Sequence, residues 1–230
     1  VRLYSELMSK REESESALRK DMFVSIIQSF VGSNAASTDT KVLNLELLAY
    51  NFHETLNLKP LFLHVDKEVI ATTTVPMRTQ QLLRLRRVAR EVMRKQMTIL
   101  EGAGRKADRV IDFDDLATNP GGIPLEPITL TLDNITRRFS LFIKQVNPES
   151  SEMRMRIEVA RLEGGGQYSR PTVNEFWVGP YDFPMIDNTR LLNDQRYAIV
   201  LNNFSAAGGA DITLSLFPGS YASLKEKPYF

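Results

Sequence analysis

The sequence predicts a segregated α+β fold, with an N-terminal helical region followed by an antiparallel β-sandwich, Ig-like or jelly-roll-like in kind. Three observations predict it. Apolar residues recur at helical spacing up to about Leu100, and beyond about Ile128 the period drops to two. Between these stretches lies Asn119-Pro120-Gly121-Gly122-Ile123-Pro124-Leu125-Glu126-Pro127, a composition expected to form no regular structure. Only two of the 11 prolines precede it. The expected organisation is therefore a helical region over 1–118, a Pro/Gly linker over 119–127 and a sandwich domain over 128–230.

The first helix is expected over residues 3–30, with Leu3, Leu7, Leu18, Met22, Ile26 and Phe30 near helical spacing. Its stretch from Lys10 to Ser16 is polar all round and buries no face, so it reads as a stalk, aided by i,i+4 ion pairs. Gly32 suits the C′ position, and Asp39 or Thr40 suits the next N-cap. From Lys41 to Leu56 apolar residues lie almost all round, which predicts a buried central helix. Pro60 opens a shorter helix through Ile70, and Thr72–Pro76 breaks the chain.

Residues 78–101 form an amphipathic basic helix. Leu82, Leu85, Ala89, Val92, Gln96 and Ile99 make its apolar seam, and Gly102 and Gly104 end it. Residues up to 116 are expected to stay helical. Beyond the linker, Ile128–Leu132, Phe139–Ile143, Met153–Val159, Glu175–Val178, Tyr197–Leu201 and Ile212–Leu216 read as short strands between turn signals. Roughly seven strands in about 100 residues suits a sandwich. Trp177, Phe176, Tyr197, Ile199, Met155 and Ile157 are expected to form or border its interior.

Composition excludes several function classes. No cysteine is present, so disulfides, thiolate metal sites and cysteine nucleophiles are out. Net charge is +1, so bulk charge predicts no polyanionic partner. No run approaches the roughly 20 apolar residues of a membrane span. The chain begins at Val1 rather than Met, which is expected of a processed product or of a piece cut from a longer chain, and either leaves room for a targeting or spanning segment before it.

Seven basic residues fall between Arg78 and Lys95, opposed only by Glu91. Arg87, Arg90 and Arg94 share one face at i, i+3 and i+7, with Arg84 and Arg86 beside it. Guanidinium forks bind phosphates bidentately, so Arg84, Arg87, Arg90 and Arg94 are the candidate polyanion-binding set. A solvated helix face, or one that pairs with the acidic residues of a neighbouring helix, explains them without a ligand. No aromatic residue interleaves with them to stack bases.

The remaining constellations assign little. His53 and His64 lie near Glu54 and Asp66, but without the second histidine of an H-E-x-x-H helix. Asp112, Asp114 and Asp115 miss the spacing of a calcium loop. Asp182, Asp187 and Asp194 fall in loops of the β region. Gly164-Gly165-Gly166 reads as a flexible hairpin. Asn203–Gly208 fits N-x-S-x-x-G, but Arg86–Arg90 and Arg90–Arg94, which supply R-x-x-x-R, lie more than a hundred residues earlier, so nothing is carried over from that pattern.

The sequence thus predicts a non-enzymatic binding or assembly module. It is expected to be the soluble, periplasmic-side part of a membrane-tethered bacterial envelope protein, with a cytoplasmic setting as the other option. A protein partner or self-assembly is favoured, membrane contact runs only through a segment absent from the chain, and no cofactor or metal is expected. The alternative is a regulatory protein that binds nucleic acid, nucleotide or anionic lipid through helix 78–101.

Overall fold

The computed structural model describes residues 2–31, 36–119 and 121–222, with side chains except those of 2–12, 31 and 117. Helices come first and antiparallel sheets follow, as the change of period predicts. The helices are α1 (Arg2–Val31), α2 (Thr38–Phe52), α3 (Lys59–Thr72), α4 (Val75–Glu101) and the short α5 (Asp114–Thr118). The strands are β1 (Arg105–Asp112), β2 (Ile123–Pro124), β3 (Ile128–Leu132), β4 (Ile135–Asn147), β5 (Glu152–Arg161), β6 (Thr172–Val178), β7 (Thr189–Arg190), β8 (Gln195–Ser205) and β9 (Gly209–Pro218). Two compact units result. One holds residues 1–53 and 60–85, and the other holds 54–59 and 86–230.

In the helical unit, Val42, Leu45, Leu48, Ala49 and Phe52 of α2 are buried together with Phe62, Val65 and Val69 of α3. Ser37 caps α2, its hydroxyl accepting from the Thr40 N–H at 3.3 Å. The expected caps, Asp39 and Thr40, instead occupy the first turn, where Asp39 suits the helix dipole. Nor is α2 buried all round, since Leu43 and Leu47 are 45% and 42% exposed. Pro76 falls in the first turn of α4, which needs no N–H from it, so the helix starts before Arg78. Residues 13–21 of α1 are exposed without exception, and burial begins at Met22. The expected break at Gly32–Asn34 lies outside the described residues.

The β unit is a pair of sheets with one core between them. One sheet runs β1-β9-β8-β7, and the other runs β2-β4-β5-β6 with β3 also on β4. All pairings are antiparallel. Phe139, Leu141 and Ile143 of β4, and Met153, Met155, Ile157 and Val159 of β5, meet Tyr197, Ile199, Ile212, Leu214 and Leu216 of the opposite sheet. The period-two alternation is the cause, because successive side chains leave a strand on opposite faces.

The β8–β9 sheet is covered on its outer face too. Leu100 of α4 packs with Met185, Ala198 and Phe217 there, so residues 195–201 are buried on both faces. That explains why Tyr197–Leu201 reads as a continuous apolar run rather than an alternation. Gln96 of α4 is fully buried, and its side-chain oxygen accepts the Met185 N–H at 3.0 Å.

Three expectations need correction. Residues 105–112 are strand β1, paired along its whole length with β9, and are not helical. Only Ala107 and Ile111 of this segment pack in the core, and five of its eight residues are charged. Long-range pairing decides its conformation, and charge is what an edge strand carries. The linker region contains β2, whose Ile123 and Pro124 pair with Ile143 and Phe142. Trp177 is 38% exposed and lies outside the core, while Phe176 borders it. The register of β6 sets this, since Val178 faces inward and its neighbour Trp177 faces outward.

Gly104 joins α4 to β1 where a side chain would not fit. A Cβ there would stand 2.6 Å from the Leu216 carbonyl oxygen and 2.8 Å from that of Leu100. Ile157 is wholly buried in the shared core. Ile157→Ala is expected to cost about 2–5 kcal/mol of unfolding free energy, measured by urea titration. A change inside about 0.5 kcal/mol, typical of surface positions, would contradict the inward assignment.

Candidate functional site

Charged side chains gather on the basic face of α4 and around a cavity beside the edge strands of the β unit, among other places. The sequence pointed to the first. Of its candidate arginines, Arg84 is engaged. Its Nε donates to Glu46 Oε2 at 2.9 Å, and Asp39 lies 4.0 Å away. Arg86 donates to the Ser151 hydroxyl at 2.9 Å. Arg87, Arg90 and Arg94 are exposed. Arg90 Nε donates to the Arg86 carbonyl one turn back at 3.3 Å. A groove of about 460 Å³ includes Arg90 and Arg94 with Lys106, but also Glu101 and Asp108. Lys106 is already paired with Glu101 at 2.6 Å. The face is thus three exposed arginines beside a groove of mixed charge.

The second place was only half visible in the sequence. Strand β6 ends at Val178, and Gly179-Pro180 turns the chain into a loop whose Tyr181, Phe183 and Met185 are buried. Those apolar anchors draw Asp182 and the following Asp187 inward. Asp182 Oδ2 accepts the Gly179 N–H at 2.6 Å, and Asp187 Oδ2 accepts the Phe183 N–H at 2.8 Å. Leu58 is fully buried and sets Lys59, whose ammonium bonds and pairs with Asp182. A cavity of about 260 Å³ opens beside this pair, bordered by Asp187, Thr189, Trp177 and Tyr197. The Tyr197 hydroxyl accepts from Asn174 Nδ2 at 3.2 Å, which links β8 to β6.

Burial dominates the electrostatics of this cavity. It pushes the Asp182 carboxyl above its ordinary range, although Lys59 and the Gly179 N–H pull it down. It also pulls the Lys59 ammonium down, but the carboxylates of Asp182, Asp187 and Glu152 outweigh it and leave Lys59 above its usual value. Asp187 is pushed up to about 6, first by burial and then by the Asp182 charge. Burial likewise raises the Tyr197 phenol against its bonds to Thr189 and Asn174. Lys59 is therefore held as a cation, and Asp187 is the group that changes charge near neutral pH. It can donate or accept a hydrogen bond there.

The other constellations are not assembled. His64 is exposed and lies 3.6 Å from Glu68, one turn away, while His53 is buried in the helical unit. Asp112 Oδ1 accepts the Asp114 N–H at 3.0 Å, which is the turn into α5. No group of three or more potential metal ligands occurs among the described residues. No described helix is long and apolar enough to cross a membrane. No family model matches the chain, nor does any curated protein or solved structure.

Two outcomes are expected. A carboxyl raised in the folded state contributes stability below its unfolded value of 3.8 and loses it as pH rises through about 6. Asp187→Asn keeps the acceptor for Phe183 and removes the buried charge. It should raise unfolding free energy at pH 7 by up to about 3 kcal/mol and flatten the stability profile between about pH 4 and 6. Identical slopes for the two proteins in urea titrations across that window would reject this account. On α4, changing Arg87, Arg90 and Arg94 together to Gln should shift stability by less than about 0.5 kcal/mol, as solvated positions do.

Proposed function

We propose that the chain is a non-enzymatic binding and assembly module whose contact element is α1. The observation that carries this is the exposure of residues 13–21 on every side of the helix, Leu18 included at 68%. Most helical stability in proteins comes from packing an apolar face, and ion pairs at i,i+4 add only about 0.2–0.5 kcal/mol each. The helical stretch therefore gains little from its own chain. A partner helix or a second copy supplies what is missing, and it also covers Leu18. Exposed Leu43 and Leu47, one turn apart on α2, extend the apolar surface offered by the helical unit. The envelope setting expected from the sequence belongs to this proposal, and its support is the spacer-like form of α1.

The second reading is a polyanion seat on α4, now reduced to Arg87, Arg90 and Arg94. It is favoured only by their common exposure. With Arg84 paired and the adjoining groove mixed in charge, it ranks second.

Light scattering and native-state hydrogen exchange test the first reading. The chain should self-associate or capture a helical partner, and amides 13–21 should become protected as the assembly forms. A strict monomer with those amides exchanging at unfolded-chain rates, and no partner-induced protection, would remove it. A heparin column run in salt steps checks the second reading, which requires retention that disappears in the Arg87, Arg90 and Arg94 triple-Gln variant.

A further inference from the structure

We propose that the end of the sandwich bounded by β4, β5 and β7 is a binding site for a small multivalent oxyanion, a ligand carrying two or more phosphate or carboxylate groups. This goes beyond the assembly role and does not rest on it. The inward rows of the second sheet end in arginine: Phe139 is followed on its face by Arg137, and Val159 by Arg161. The two arginines are direct cross-strand partners. Like charges placed opposite each other on one sheet face are destabilising unless something neutralises them.

Arg137 is only 4% exposed. Its Nε donates to Gln195 Oε1 at 2.8 Å and its Nη2 to the Leu192 carbonyl at 2.7 Å. Both acceptors are neutral, and among the described residues no hydrogen bond of Nη1 accompanies them. Burial, and then the Arg161 charge, hold the Arg137 guanidinium below its ordinary value, the expected result when no carboxylate sits beside it. A buried guanidinium normally has an ionic partner, because an unpaired buried charge is costly.

The surroundings provide room and further charge. A cleft of about 700 Å³ is lined by Arg137, Arg161, Arg170 and Arg190, with Glu163 and Asp194 as its carboxylates. Arg161 reaches Glu163 only at 3.5 Å. Arg170 and Arg190 are exposed and make no ion pair among the described residues. Four guanidinium groups face two carboxylates, so the cleft has an excess of two positive charges. Its volume suits a small molecule rather than a chain. Guanidinium forks match the planar or tetrahedral oxygens of carboxylate and phosphate bidentately.

The test is calorimetric titration of the intact chain with inorganic pyrophosphate in one arm and citrate in the other, at two salt concentrations. At least one probe should bind saturably with one-to-one stoichiometry and weaken as salt rises, and the arm that binds tighter identifies phosphate or carboxylate as the anchor. Arg170→Gln with Arg190→Gln should weaken binding by about tenfold or more, since each lost charged contact is worth over 1 kcal/mol. Both positions are exposed, so this variant keeps its fold even if Arg137→Gln does not. The triple-Gln variant of α4 should bind like the unaltered chain. Absence of binding for both probes at millimolar concentration would overturn the proposal. So would a folded Arg170, Arg190 double variant that binds within twofold of the unaltered chain, or loss of binding in the α4 variant.

Discussion

The β unit depends on the ladder between β1 and β9. Strand β1 leaves α4 through Gly104 and pairs with the last strand from Arg105↔Leu216 to Asp112↔Gly209. This closure joins the start of the unit to its end. It also sets α4 over the outer face of the β8–β9 sheet, because Gly104 admits no side chain between the Leu100 and Leu216 carbonyls. The cover then removes both faces of residues 195–201 from water. A central strand buried on two sides accounts for a large part of the hydrophobic area of a unit this size. Without the β1 ladder, α4 loses its fixed exit, and Ala198 and Phe217 lose their cover.

Polar groups within this packing are placed where they hold elements together. Gln96 sits at zero exposure because it satisfies the Met185 N–H in the loop after β6. Gln195 plays the same part at the other end, donating to the Leu132 carbonyl while accepting from Arg137. A buried amide with its partners costs little, and losing one partner costs about 1–3 kcal/mol. These side chains therefore act as registration points between elements that apolar contact alone would leave free to slide. The carboxylates of the loop after Val178 are similar. Each is tied to a backbone N–H, and Asp182 is tied to Lys59 as well.

Much of the fold was legible because long apolar patterns are physical signals. The seam Leu85–Ala89–Val92–Gln96 is the buried face of α4, and the alternation Met153–Val159 is the inward row of β5. Strand β1 was not legible, since its ladder with a segment a hundred residues later carries no local pattern. The outward turn of Trp177 depended on register, which a run of apolar neighbours cannot specify. Among candidate site residues, Arg87, Arg90 and Arg94 stand on one exposed face as their spacing implied. Arg84 does not, because its acidic partners Glu46 and Asp39 lie on another helix. Asp182 and Asp187 were visible as loop acids, but the burial that gives them their character came from their apolar neighbours Tyr181, Phe183 and Met185. The apolar alternation of that loop was the available signal.

Charge along the open side of the sandwich follows from its edges. Strand β6 ends one sheet and β7 ends the other, so among the described residues neither has a strand paired on its outer side. Strand β7 is only two residues long, a length that gives another chain little to pair with. Glu175 of β6 binds Arg154 at 2.6 Å, and Arg190 projects from β7, so charge guards both edges. Between the edges the cleft divides in character. Asp182 and Asp187 lie towards the loop after β6, and the arginines lie towards the turn after β7, with Thr189 bordering both parts. The acidic part has an internal cation in Lys59, which accounts for its balance. The basic part has no counterpart of equal burial, since Glu163 and Asp194 are both at the surface. The asymmetry lies in compensation rather than in the number of charges, and the arginine end is where the oxyanion proposed above would supply the counter-charge.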